Sequence, residues 1–111
     1  MLVQGSEWEG WYAAPAPFGQ TTFKIKILEV DLQGEFKGEG EDKQGQFEVR
    51  GTIQGSEIEF VKDYKENGNH KGIIYKGRIE ENKISGKYEF LYKALFIRLN
   101  VCEDFEMKLI T

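Results

Sequence analysis

The chain has 111 residues, enough for one domain and too few for a second core. Its net charge of −4 comes from Lys and Arg scattered among Asp and Glu, which leaves no basic cluster of the kind that gives nucleic-acid binding its affinity. A single cysteine, Cys102, excludes an intramolecular disulfide and fits a reducing compartment.

No stretch approaches the roughly 20 apolar residues that span a bilayer as a helix. Met1-Leu2-Val3-Gln4-Gly5 has neither the basic residues nor the apolar run of a secretion signal. The expectation is a soluble, cytoplasmic protein with no membrane and no nucleic-acid partner. Eight Phe, five Tyr and two Trp supply material for a small aromatic core, and 13 glycines against two prolines point to many tight turns.

Along the chain the dominant signal is period-two alternation interrupted by turn residues, the mark of half-buried strands. Trp8, Gly10 and Tyr12 open it, opposite Glu7 and Glu9. Ala13 to Gln20 carries two prolines and reads as a loop, either an ordinary connector or a gate at a barrel mouth with Phe18 at its centre. Phe23, Ile25 and Ile27 alternate with Lys24 and Lys26; after Leu28 the apolar phase moves to Val30 and Leu32, which predicts a bulge. Gly34, Phe36, Gly38 and Gly40 lead to a turn at Asp42-Lys43-Gln44-Gly45, and Phe47, Val49, Gly51 and Ile53 return.

Beyond Gly55-Ser56 come Ile58, Phe60, Lys62 and Tyr64, then the hairpin signal Asn67-Gly68. Ile73, Tyr75, Gly77 and Ile79 follow, then a turn at Glu81-Asn82 and Ile84, Gly86, Tyr88 and Phe90. Phe105, Met107 and Leu109 form the last clear strand. Leu91 to Glu103 is more continuously apolar; Leu95, Ile97, Leu99 and Val101 suit a ninth strand, with a short buried helix as the alternative. The pattern therefore predicts one all-β domain over residues 1–111, an antiparallel up-and-down barrel of eight or nine strands. Its inward glycines, Gly38, Gly40, Gly51, Gly77 and Gly86, allow the strong coiling that a small barrel requires.

Gly38-Glu39-Gly40-Glu41-Asp42 through Gly45-Gln46-Phe47, Phe60-Val61-Lys62-Asp63-Tyr64, Tyr75-Lys76-Gly77, Ile84-Ser85-Gly86-Lys87-Tyr88 and Phe105-Glu106-Met107-Lys108 carry a likeness. Together they resemble small avidin-like, calycin-type meander barrels, including intracellular ones, over nearly all the chain except Leu91 to Glu103. The resemblance implies a ligand held inside the barrel by aromatic walls, for which Trp8, Trp11, Tyr64, Tyr75 and Tyr88 are available. The polar part of the avidin pattern is not matched. Glu9, Gly10 and Trp11 follow Trp8 where avidins carry an Asn and soon a Ser for the ureido group of biotin, so biotin itself is not implied.

Among chemistry-bearing residues Lys62 stands out, because it shares parity with Ile58, Phe60 and Tyr64. An inward ammonium needs a partner. The usual outcome for such a lysine is to snorkel to the rim; the functional alternative is a cation that fixes an acidic or polar ligand beside tyrosine hydroxyls. His70 lies at the expected Asn67-Gly68 hairpin tip with no second metal ligand near it in sequence, and Cys102 reads as a small buried hydrophobe. Gly40 and Gly45 have the outer spacing of a phosphate loop, but Gln46 and Phe47 replace its Lys and Ser/Thr. Glu39, Glu41, Asp42, Glu48, Glu57 and Glu59 are read as solvent-facing, so no paired-carboxylate site is indicated.

The expected function is a non-catalytic barrel for a small, partly apolar molecule, with Trp8, Tyr12, Lys62, Tyr64, Tyr75 and Tyr88 as ligand-binding residues and no metal or cofactor. The alternative is a filled structural or protein-interaction barrel that forms a homo-oligomer through residues 91–101. An enzyme is the third class, because no nucleophile–base set is apparent.

Overall fold

A computed structural model describes residues 2–14, 19–66, 72–94 and 97–111, with backbone alone for residues 90–94 and 97–100. Phe18, Asn67-Gly68, His70, Leu95 and Phe96, singled out above, lie outside the described residues. Eight strands run β1 (Glu7–Ala13), β2 (Gln20–Val30), β3 (Glu35–Asp42), β4 (Gly45–Gln54), β5 (Glu57–Tyr64), β6 (Ile73–Glu80), β7 (Lys83–Ala94) and β8 (Ile97–Leu109).

Each strand pairs antiparallel with the next, and β8 returns to β1 from Trp8↔Leu109 to Tyr12↔Phe105, closing the barrel. Closure leaves no free sheet edge around the wall. The bulge predicted from the phase switch is present as a register shift between Ile27 and Glu29. No helix of the described chain is long and apolar enough to cross a membrane.

Burial follows the alternation: Trp8, Phe23, Ile25, Ile27, Phe47, Val49, Ile58, Phe60, Tyr75, Ile84, Phe105 and Met107 all belong to one continuous interior. Aromatic rings touch one another across the lumen. Tyr75 stacks on Phe60 at 4.8 Å and on Tyr88 at 5.4 Å, and meets Phe105 edge-on at 4.9 Å. An eight-stranded barrel is about wide enough for its own side chains, and here rings occupy that width. Glycines on the inner face make room for them: the Cβ absent from Gly40 would lie 2.7 Å from the Phe47 ring.

Four expectations are corrected. The described residues form eight strands and no ninth; residues 91–94 and 97–101 pair with each other as continuations of β7 and β8. Leu32 is fully exposed, because β2 ends at Val30 and Asp31 folds the chain into a turn, its Oδ1 accepting from the Gln33 and Glu35 amides at 3.0 and 2.9 Å. Cys102 is exposed, since Val101, Glu103 and Phe105 take the inward positions of β8 and Cys102 alternates with them. Trp11 faces outward, between Thr22 and Glu106 on the neighbouring strands, and lines a shallow surface groove with Lys24, Lys43 and Lys108 rather than the lumen.

The two ends of the barrel differ. At one end Leu2 is buried in the core, and Gly5 and Ser6 exchange backbone hydrogen bonds with Ile27 at 2.7 and 2.9 Å, so the N-terminal segment closes that mouth. At the other end gather the turn between β3 and β4, the β1–β2 and β5–β6 connections and the long β7–β8 hairpin. That hairpin gives the molecule extents of 44 × 23 × 23 Å.

Candidate functional site

Among the described residues the charged part of the interior lies at the second end; at the first, buried Ser6 is the polar side chain. Asp42 is the last residue of β3, on the inward parity of Phe36, Gly38 and Gly40, and its side chain has no solvent exposure. The expectation that Asp42 faces solvent is therefore wrong; the turn leaves one carboxylate oxygen for the backbone and turns the other inward. Oδ1 accepts from the Gln44 amide at 2.8 Å, while Oδ2 accepts from Lys62 Nζ at 3.0 Å, from the Tyr12 hydroxyl at 3.3 Å and from the Tyr64 hydroxyl. Lys62 Nζ also approaches the Tyr75 hydroxyl at 3.4 Å.

Lys62 does not snorkel. Its side chain is 3% exposed, and Nζ lies 4.3 Å from the Phe47 ring centroid, 4.6 Å from Tyr12 and 4.7 Å from Tyr64. Ring faces and a carboxylate together replace the water that a buried ammonium loses. Above this layer Gln44 Nε2 donates to the Tyr12 hydroxyl at 3.3 Å, and the Tyr88 hydroxyl donates to the Ala13 carbonyl.

The structure thus brings together five of the six expected residues: Tyr12, Lys62, Tyr64, Tyr75 and Tyr88. Trp8 stands apart. It lies four residues down β1, about 13 Å at strand rise, and its Nε1 donates to Ser6 Oγ at 3.1 Å near the closed end. Sequence reasoning missed Asp42, Gln44 and Glu103. Glu103 holds an inward position of β8 and is the register partner of Tyr88, on the rim of the same end.

No family model, curated protein or solved structure matches this chain. Its chemistry is read from the geometry alone. Among the described residues no group of His, Cys, Asp and Glu has the arrangement to hold a metal ion.

Burial dominates the titration of the cluster. Desolvation lowers Lys62 to about 8, against the opposing pull of Asp42. Desolvation raises Tyr12, pushes Tyr88 up to about 12, and drives Tyr64 and Tyr75 well above the usual tyrosine range. The two effects on stability have opposite signs. Between about pH 8 and the ordinary lysine value of 10.5 the unfolded chain holds a proton that folded Lys62 has lost, so stability rises with pH.

Above about pH 10 the unfolded chain sheds tyrosine protons that the folded barrel retains, so stability falls. Thermal unfolding should therefore show stability increasing by about 2 kcal/mol from pH 7.5 to 9.5 and declining beyond 10.5. Lys62→Met should flatten the rising limb. A rising limb that survives this substitution would locate its origin elsewhere.

Proposed function

We propose that the protein is a non-catalytic binding barrel whose ligand is a small, partly apolar molecule, received at the end where the Asp42–Lys62 cluster lies. The observation that carries the reading is the placing of that ion pair. Two charges taken from water cost several kcal/mol each, and well-packed apolar residues would serve stability as well or better. Apart from Ser6 at the closed end and Thr21, the rest of the described lumen is apolar and aromatic; the ion pair and the tyrosine hydroxyls around it lie together toward one mouth. Tyr12, Lys62, Tyr64, Tyr75 and Tyr88 form the floor of the proposed site, and Trp8 belongs to the closed end. The resemblance to avidin-like barrels, which hold a ligand within an aromatic wall, supports the same direction.

A second reading, a filled barrel acting as a structural or interaction module, is favoured by the ring contacts across the lumen. Native mass spectrometry of gently purified protein separates the two. The binding reading expects a defined added mass on the folded species that disappears under denaturing conditions. Bare protein, joined with no thermal shift from a panel of small aromatic and amphiphilic compounds, would overturn it in favour of the filled module. The same spectra report whether the chain is monomeric or oligomeric.

A further inference from the structure

Among the described side chains every other aromatic ring is buried in the core; Trp11 alone lies outside it, half-buried on the outer wall. Its place follows from the alternation. Trp8, Gly10 and Tyr12 take the inward positions of β1, which leaves Trp11 outward between Thr22 of β2 and Glu106 of β8. A single apolar side chain at a surface carries little by itself. What surrounds this one carries more.

The indole is uncommitted. Among the described residues its N–H donates to no protein group, no ring packs on it and no ammonium lies over its face. It lines a shallow, open groove of about 660 Å³. Beside it stand three ammoniums, Lys24, Lys43 and Lys108, and two carboxylates, Glu9 and Glu41, all exposed and none in an ion pair among the described residues. The register interleaves their signs: Lys24 faces Glu9 on one side and Glu41 on the other, and Lys108 faces Glu9. Glu106, the other outward carboxylate of the groove, is already held by Lys83 at 3.4 Å.

This surface selects among ligands. An anion would be opposed by Glu9 and Glu41, and a cation would meet three lysines. An apolar molecule lying in an open groove would keep one face in water and gain little from burial. A neutral, polyhydroxylated ring answers every part. Its hydroxyls donate and accept, so interleaved ammoniums and carboxylates are both usable, and hydrogen bonds to charged groups are the stronger kind. Its weakly positive C–H face rests on the negative face of the indole.

We propose that the outer wall around Trp11 is a second binding site, separate from the lumen, for a neutral saccharide. One sugar ring stacks on the indole, and its hydroxyls bond to Lys24, Lys108, Glu9 and Glu41. The site stands independently of the binding-barrel reading. Its affinity is in the millimolar range, because the outer face of the sugar stays hydrated.

The test follows the indole N–H resonances of isotope-labelled protein during titration with maltotriose, cellotriose, mannotriose and N-acetylchitotriose, beside glycerol as a polyol without a ring. Trp8 and Trp11 give separate resonances, assigned with Trp11→Phe. At least one trisaccharide should shift the Trp11 resonance saturably and leave that of Trp8 still. Trp11→Ala, read on the backbone amides of β1 and β2, should weaken that sugar at least tenfold, and Lys24→Met or Glu41→Gln severalfold. If Trp11→Ala does not fold, Trp11→Phe and Lys24→Met carry the comparison. Absence of a saturable shift with all four sugars, a shift that glycerol reproduces, or an affinity that survives these substitutions overturns the proposal. So does tighter binding of adenosine monophosphate, which would make the wall an anion site. A Trp11 shift that grows with protein concentration alone would assign the wall to a second copy of the chain instead.

Discussion

Replacing Asp42 by Asn will destabilise the barrel by ~3 kcal/mol, and adding Lys62→Met to the same chain will recover part of that loss. The sign of the second step is the informative part. Asp42→Asn keeps an oxygen for the Gln44 amide, so the turn between β3 and β4 is preserved while the negative charge is removed. What remains is an ammonium, 3% exposed, facing an amide and three tyrosine hydroxyls where its counter-ion stood.

An uncompensated charge in such surroundings carries most of its desolvation penalty unrelieved. Removing it with Met, which is similar in length and apolar, leaves a neutral layer. The position-42 oxygen can still accept from Tyr12 and Tyr64 there, and the thioether can lie against the Phe47 ring. Urea unfolding of the wild type, both single variants and the double variant completes the cycle. A double variant less stable than Asp42→Asn alone would show that Lys62 is held by the rings independently of Asp42.

The alternation that made the barrel legible is a local property, and it succeeded wherever function and stability asked the same thing of a residue. Phe47, Val49, Phe60 and Tyr75 announce their faces by period two, and the Ile27–Glu29 bulge showed as a change of phase. The ion pair was only half legible. Lys62 drew attention as a charge on an apolar parity, but Asp42 sits in an Asp-Lys-Gln-Gly turn, where a carboxylate ordinarily caps the backbone in solvent.

Parity counted from Phe36 through Gly40 would have placed Asp42 inward. Its partner stays hidden, because Asp42 and Lys62 lie on strands separated by β4 and 20 residues apart in sequence, and only the folded wall brings them to 3.0 Å. The β7–β8 ribbon was misread for the opposite reason. Lys93 to Phe96 contains no Gly, Asn, Asp or Pro, so nothing in the local composition marked a reversal there, and one hairpin looked like an additional strand.

Gly51→Val is expected to be strongly damaging to the wall, costing at least ~3 kcal/mol and lowering the melting temperature by ~15 °C or preventing folding. Gly51 lies on β4 between Phe36 of β3 and Phe60 of β5. A Cβ there would stand 2.0 Å from the Glu59 carbonyl oxygen, 2.6 Å from Phe60 Cα and 2.5 Å from Phe60 Cβ. All three atoms belong to the adjoining strand, so no side-chain rotation relieves the contact. Relief requires β4 and β5 to separate.

Those strands also carry Phe47, Lys62 and Tyr64, so the disturbance should reach the polar cluster as well as the fold. Thr52→Ala, one residue along and exposed, should change stability by no more than about 0.5 kcal/mol and serves as the control. Near-ultraviolet circular dichroism would follow the aromatic packing while calorimetry follows the melt. If Gly51→Val melted within a few degrees of the wild type with its aromatic signal unchanged, the inner wall would have room at this point, and the close approach of β4 to β5 would be wrong.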